Sequence, residues 1–176
     1  IVTAVQEGTA RFIFTNTTTG CISNQTAVVT VDDKRGVTIS GDNEYCIGES
    51  ATLSASRSGG SWSSSNTSIA TISNTGIVTA ISAGAASIVY HHSWGACDED
   101  ATYGIIVHPR PTVSITGASS ICQGLTTTLS PTTGGTWVSS NNLVATITNT
   151  GVVTGVSPGT ATFTFTNTST SCPSNA

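Results

Sequence analysis

Apolar and polar residues alternate along most of this chain, and no stretch of useful length carries the period of an amphipathic helix. Between residues 37 and 107 the alternation predicts seven short strands. Val37-Thr-Ile39 opens the series, and Ala51-Thr-Leu53-Ser-Ala55 follows. Ser61-Trp62-Ser63 is the third, with Trp62 turned inward, and Ile69-Ala-Thr-Ile72 is the fourth. Asn74-Thr-Gly76 then reads as a tight turn, its glycine supplying the positive φ that such turns need. Ile77-Val-Thr-Ala-Ile81 is the fifth strand, and Ser82-Ala-Gly84 is a second turn. Ala86-Ser-Ile88-Val-Tyr90 and Thr102-Tyr-Gly-Ile-Ile-Val107 complete the set. The abundance of Thr, Val and Ile fits, because branched side chains suit a pleated surface.

The same pattern returns. Trp62-Ser-Ser-Ser-Asn66-Thr-Ser-Ile-Ala-Thr-Ile-Ser-Asn74-Thr-Gly76-Ile-Val-Thr79 recurs as Trp137-Val-Ser-Ser-Asn-Asn142-Leu-Val-Ala-Thr-Ile-Thr-Asn149-Thr-Gly151-Val-Val-Thr154. Ile1-Val-Thr-Ala-Val5 aligns with Ile77-Val-Thr-Ala-Ile81, so a further copy enters halfway. A period of 75–76 residues means one structural unit reused in tandem. Seven short strands per unit, with a Trp in the third, predict a two-sheet sandwich of immunoglobulin type; an up-and-down barrel is the alternative. The expected fold is therefore all-β, with immunoglobulin-like modules placed end to end. The expected division is residues 1–35 as the second half of a module, 36–110 as a complete module, and 111–176 as a module lacking its last strand. On this reading the chain is a stretch of a longer repetitive polypeptide.

Two prolines in Val107-His-Pro109-Arg-Pro111-Thr-Val113 fix φ and remove donors, giving a semi-rigid connector between modules. Charged residues make up only 8% of the chain, against roughly 25% in ordinary domains, so hydroxyls and amides carry its polarity. A net charge of −4 with five scattered basic residues offers no patch for nucleic acid. No apolar run approaches the roughly 20 residues of a membrane-spanning helix. Membrane insertion and nucleic-acid binding are accordingly not expected.

Each copy carries a cysteine near its start (Cys46, Cys122) and one near its end (Cys21, Cys97, Cys172). Pairing within a module predicts Cys46–Cys97 and Cys122–Cys172, leaving Cys21 with a partner upstream of residue 1. Reduced, buried cysteines are the alternative. Disulfides imply an oxidising, extracellular or cell-surface setting. A module of this size gains little stability from its core alone, so a disulfide and stacking on neighbours are natural supplements.

The run Trp-x-Ser-Ser-Asn-x-x-x-Ala-Thr-Ile-x-x-x-Gly-x-Val-Thr resembles the bacterial immunoglobulin-like group 2 family. The spaced cysteines and the Val-His-Pro-Arg-Pro-Thr-Val junction are similar to a variant repeated in giant surface proteins of gliding Bacteroidota. The resemblance implies a structural, non-catalytic segment of a secreted or surface adhesin filament, linked to adhesion and gliding motility. Its alternative is a spacer or carbohydrate-binding accessory module of a secreted polysaccharide-degrading enzyme. The expected partners are neighbouring repeats, further filaments by self-association, and an external surface or glycan met by regions beyond this stretch.

Candidate chemistry is sparse. No G-x-S-x-G turn occurs, and the acidic residues sit mostly in linkers and turns, where paired carboxylates are hard to assemble. Lys34, the only lysine, falls in a junction rather than within a sandwich. One segment departs from its counterparts: Tyr90-His91-His92-Ser-Trp94-Gly-Ala-Cys97-Asp98-Glu99-Asp100 has two histidines, a tryptophan and three acids where the other copies carry Thr and Asn. Asp98, Glu99 and Asp100 are candidate oxygen ligands for Ca²⁺, and Trp94 is a candidate platform for a sugar. The plainer reading is a solvated loop beside a disulfide. His91 and His92, adjacent in a strand, would point to opposite faces, which argues against their ligating a metal together. No cofactor or metal is therefore expected.

Overall fold

The computed structural model describes residues 1–32, 36–94 and 97–175, with Trp94 by its backbone alone. Lys34 lies outside the described residues. Within them the chain is all-β. The first strands, β1 (Gly8–Ala10) and β2 (Val29–Val31), pair antiparallel, and a bridge between Thr15 and Ile22 closes a hairpin tip between them. Every residue before Val31 is exposed, so this stretch has no core of its own.

Residues 39–108 form a complete sandwich. Its strands are β3 (Ile39–Ser40), β4 (Glu44–Cys46), β5 (Ser50–Thr52), β6 (Ser54–Ala55), β7 (Ser61–Ser64), β8 (Ala70–Ile72), β9 (Ile77–Ala80), β10 (Gly84–Trp94) and β11 (Cys97–His108). One sheet runs β4-β11-β10-β7, and the other face is built from β5-β9-β8 and the short pair β3-β6. The core draws on both sheets: Tyr45, Ile88, Ile105 and Val107 from the first meet Leu53, Ala70, Val78 and Ala80 from the second. Alternation explains which residues arrive there. Along β11, Ala101, Ile105 and Val107 are buried while Thr102, Gly104 and Ile106 face out. Burying each large aliphatic side chain of this core contributes roughly 1.5–3 kcal/mol.

Each of the seven strands predicted for this module meets an observed one, with three differences. The second is split at Leu53, whose N–H donates to the Gly76 carbonyl at 2.8 Å instead of to a ladder partner. The last two extend well beyond their apolar segments, to Trp94 and back to Cys97. Strand β4 has no counterpart among the predicted strands; it lies parallel to the end of β11.

The third repeat follows the same plan through β12 (Ser114–Ile115), β13 (Thr126–Ser130), β14 (Gly135–Ser139), β15 (Ala145–Ile147), β16 (Val152–Gly155) and β17 (Phe163–Asn167). Its sheets run β12-β13-β16-β15 and β14-β17. Trp137 is buried against Phe165 at 5.2 Å between ring centroids, the counterpart of Trp62 against Tyr90 at 4.6 Å. Each third-strand tryptophan therefore fills the space between the sheets, as the sequence predicts for Trp62.

The Asn-Thr-Gly turns form as expected. Gly76 and Gly151 have φ of 84° and 79°. A Cβ on Gly76 would sit 2.5 Å from the Leu53 carbonyl oxygen, and one on Gly151 closer still to that of Leu129. Both the backbone conformation and the space therefore require glycine. Gly76→Ala is expected to lower stability by about 1–3 kcal/mol, seen as a reduced denaturant midpoint. An unchanged midpoint would show that the turn tolerates a side chain.

Candidate functional site

The most constructed feature of the chain is the junction between the second and third repeats. Strand β4 starts the arrangement. Its parallel register, Ile106 with Glu44, Val107 with Tyr45 and His108 with Cys46, carries Cys46 to the end of the sandwich where the chain leaves. Tyr45 anchors this strand: its ring is buried, and its hydroxyl donates to the Asp42 carbonyl at 2.7 Å. Glu49 accepts from the Cys46 N–H at 2.8 Å, and His108 approaches Glu44 at 3.2 Å.

The next repeat answers with the tip of a hairpin. Beyond β17, Thr166 bridges to Pro173 and the Asn167 N–H donates to the Cys172 carbonyl at 3.0 Å, so the intervening loop presents Cys172. Cys172 and Cys46 are joined in a disulfide with Cα atoms 5.5 Å apart. Both are buried, as is Ser174, whose hydroxyl accepts from the Phe165 N–H at 3.0 Å. Arg110, between the two linker prolines, adds a polar clamp. Its Nε–H donates to the Ile47 carbonyl at 2.7 Å and its Nη1–H to the Pro173 carbonyl at 3.3 Å. One guanidinium thus ties both repeats to the connector, and such charge-assisted bonds are among the stronger ones.

This corrects the expected cysteine pairing. Cys46 bonds Cys172 rather than Cys97, and Cys122 is not bonded to Cys172. The reason is strand direction. Cys97 starts β11 and Cys46 pairs with its last residue, so the two lie at opposite ends of a strand about 35 Å long. In the third repeat, Cys122 sits beside Gly155 at the end of β16, where the Gly124 N–H donates to the Gly155 carbonyl. Periodicity could not decide the matter, because pairing within a repeat and pairing to the next repeat have the same period. Cys21, Cys97 and Cys122 have no disulfide partner within this chain. The sequence also held an overlooked pointer in Arg110, a single cation between two prolines in a charge-poor chain.

The unusual segment of the second repeat is the far end of the β10–β11 hairpin, with His91 opposite Asp100, His92 opposite Glu99 and Ser93 opposite Asp98. A polar row runs along its exposed face. Asp100 holds His91 Nδ1 at 2.6 Å, His91 Nε2 meets the Ser93 hydroxyl at 3.3 Å, and Ser93 donates to Asp98. On the other face His92 Nε2 contacts the Ser58 carbonyl at 2.8 Å. The two histidines thus turn opposite ways, and His91, Ser93, Asp98 and Asp100 link the two strands to one another. Among the described residues no group of three or more His, Cys, Asp or Glu converges to hold a metal. The side chain of Trp94 lies outside the description.

Two sandwiches on one plan, joined through a disulfide and an arginine clamp, define a tandem array of immunoglobulin-like modules. The family model for the bacterial Ig-like domain (group 2) matches residues 25–90 and 101–172. The chain belongs to that family. No curated protein matches its sequence. Among solved structures, the S-layer protein SbsC in a form spanning its residues 31–844 aligns at 16% identity and a TM-score of 0.30. SbsC domains 1–6 align at 16% identity and a TM-score of 0.31. Each alignment covers 96% of this chain and 35% of the other, so the chain spans about a third of those structures.

Tyr45 supplies a test of how β4 is held. Burial, then the charge of Asp42, then Tyr103, push its phenol above the ordinary value of 10.0. The folded state therefore holds this proton more tightly than the unfolded chain does. The resulting stability is complete below about pH 10 and is lost as pH rises through the raised folded value. Wild-type protein is expected to lose stability more steeply above about pH 10 than Tyr45→Phe. Parallel declines in denaturant midpoint would count against the assignment.

Proposed function

We propose that this chain is a load-bearing segment of a secreted or cell-surface bacterial filament that holds an adhesive surface away from the cell. The observation that carries this reading is the covalent bond between consecutive repeats, Cys46 to Cys172. A disulfide inside a module would stabilise that module alone. One that crosses the junction fixes the angle between modules and transmits tension past the linker, properties that a projecting filament uses. Arg110 and the flanking prolines act in the same direction by leaving the connector little freedom.

Further support comes from the medium such a bond requires. Disulfides persist in oxidising, extracytoplasmic surroundings, and a chain with 8% charged residues and five basic ones offers few sites to trypsin-like proteases. The role is mechanical rather than catalytic: in the β10–β11 hairpin His91 is engaged with Asp100, Ser93 with Asp98, and His92 with the Ser58 carbonyl. Repetition makes weak contacts at the filament's end multivalent.

The test uses intact cells of the source organism. Antibody raised against this chain is expected to label unpermeabilised cells, and deleting the repeats is expected to reduce attachment to a surface. Labelling only after permeabilisation would refute the placement. Loss of a secreted hydrolase activity with unchanged attachment would make the repeats an enzyme's spacer instead.

A further inference from the structure

We infer that Cys122, Cys97 and Cys21 are halves of further locks of the Cys46–Cys172 kind. The junction disulfide then recurs once per repeat, from the early cysteine of one module to the hairpin-tip cysteine of the next. The ligand of each free thiol is accordingly a cysteine of a neighbouring repeat.

Both halves of the observed lock have a duplicate in the chain. Around Cys46, its carbonyl accepts from the Glu49 N–H at 3.0 Å, Gly48 donates to Ala80 at 2.8 Å, and Ala80 donates to Glu49 at 2.9 Å. Around Cys122, its carbonyl accepts from Leu125 at 3.0 Å, Gly124 donates to Gly155 at 2.8 Å, and Gly155 donates to Leu125 at 3.0 Å. The tip half is duplicated as closely. Asn167 donates to the Cys172 carbonyl at 3.0 Å while its Oδ1 accepts from Ser169 and Thr170. Asn16 donates to the Cys21 carbonyl at 2.9 Å while its Oδ1 accepts from Thr18 and Thr19. The residue before each tip cysteine, Ser171 or Gly20, is left-handed, with φ of 57° and 69°.

These loops alone would not make a site. What makes them one is that the equivalent pair is bonded in this structure, and bonded across a junction. Exposure supports the assignment: Cys46 and Cys172 are buried where they meet, whereas Cys122 is exposed and Cys97 half-buried. Cys97 holds the tip position of the middle repeat, at the far end of the sandwich from Cys46, where a preceding module would abut. By the observed polarity, Cys122 bonds the tip cysteine of a following repeat. Cys97 and Cys21 bond the early cysteines of preceding ones.

The chemistry is thiol–disulfide exchange with a small disulfide oxidant such as oxidised glutathione. One cysteine thiolate attacks the oxidant's sulfur and releases a glutathione thiolate. The partner thiolate then attacks the mixed disulfide and releases the second. Two protein thiols lose two protons and two electrons, and one oxidised glutathione becomes two reduced ones.

Two measurements test the inference. The first is disulfide mapping by mass spectrometry on the native protein, without reduction. Peptides bearing Cys122, Cys97 and Cys21 are expected to be linked to cysteines of adjacent repeats, always early to tip. Free thiols at these positions, or links within one repeat, would overturn it. The second uses the 176-residue chain as Cys46→Ser in a glutathione redox buffer. Cys172 and Cys122 are expected to remain unlinked to each other, each as a thiol or as a mixed disulfide with glutathione. Formation of a Cys122–Cys172 bond would show that pairing within a repeat is open, and would also overturn it.

Discussion

The parallel pairing of β4 with the last three residues of β11 is the constraint on which the junction depends. Three register pairs are a small piece of sheet, yet they decide which end of the sandwich Cys46 occupies. They place it where the chain exits and where the next repeat begins. Tyr45 holds the strand down from within the core, and the cysteine that follows it faces the next module. The disulfide and the Arg110 clamp are consequences of that placement.

A bond at this position changes how force travels. The residues between Cys46 and Cys172 form a closed loop, and tension along the array bypasses them through the sulfur atoms. Most of two sandwiches is thereby shielded from extension, and each module relies on its neighbour's cysteine. This suits units whose cores are small and draw on a few residues from each sheet, such as Leu53, Val78, Ile88 and Ile105 in one repeat and Leu129, Val153 and Phe165 in the next. Stability lacking within a module is supplied between modules.

Much of the fold was legible in the sequence because its signals are local. Alternation in Ile77–Ala80 and the glycines of the Asn-Thr-Gly turns specify strand and turn without reference to distant residues. The inward tryptophans were equally plain from their place in the third strand. Strand β4 was not, because Glu44-Tyr45-Cys46 is three residues long and pairs with a segment more than sixty residues away. The extension of β10 and β11 was hidden as well: His91, Ser93, Asp98 and Asp100 lack an apolar alternation, and their pairing rests on mutual hydrogen bonds. For the site, the cysteines announced a disulfide but not its partners. A repeat period leaves open whether a bond closes on its own module or reaches the next, and only strand direction resolves it.

Single-molecule stretching of the 176-residue chain, with and without reductant, addresses the central claim most directly. With Cys46 bonded to Cys172, 126 residues apart, the fully unfolded oxidised chain should be shorter than the reduced one by about 400 Å. Equal lengths, or steps of about 170 Å matching a bond closed within each repeat, would contradict a lock between modules.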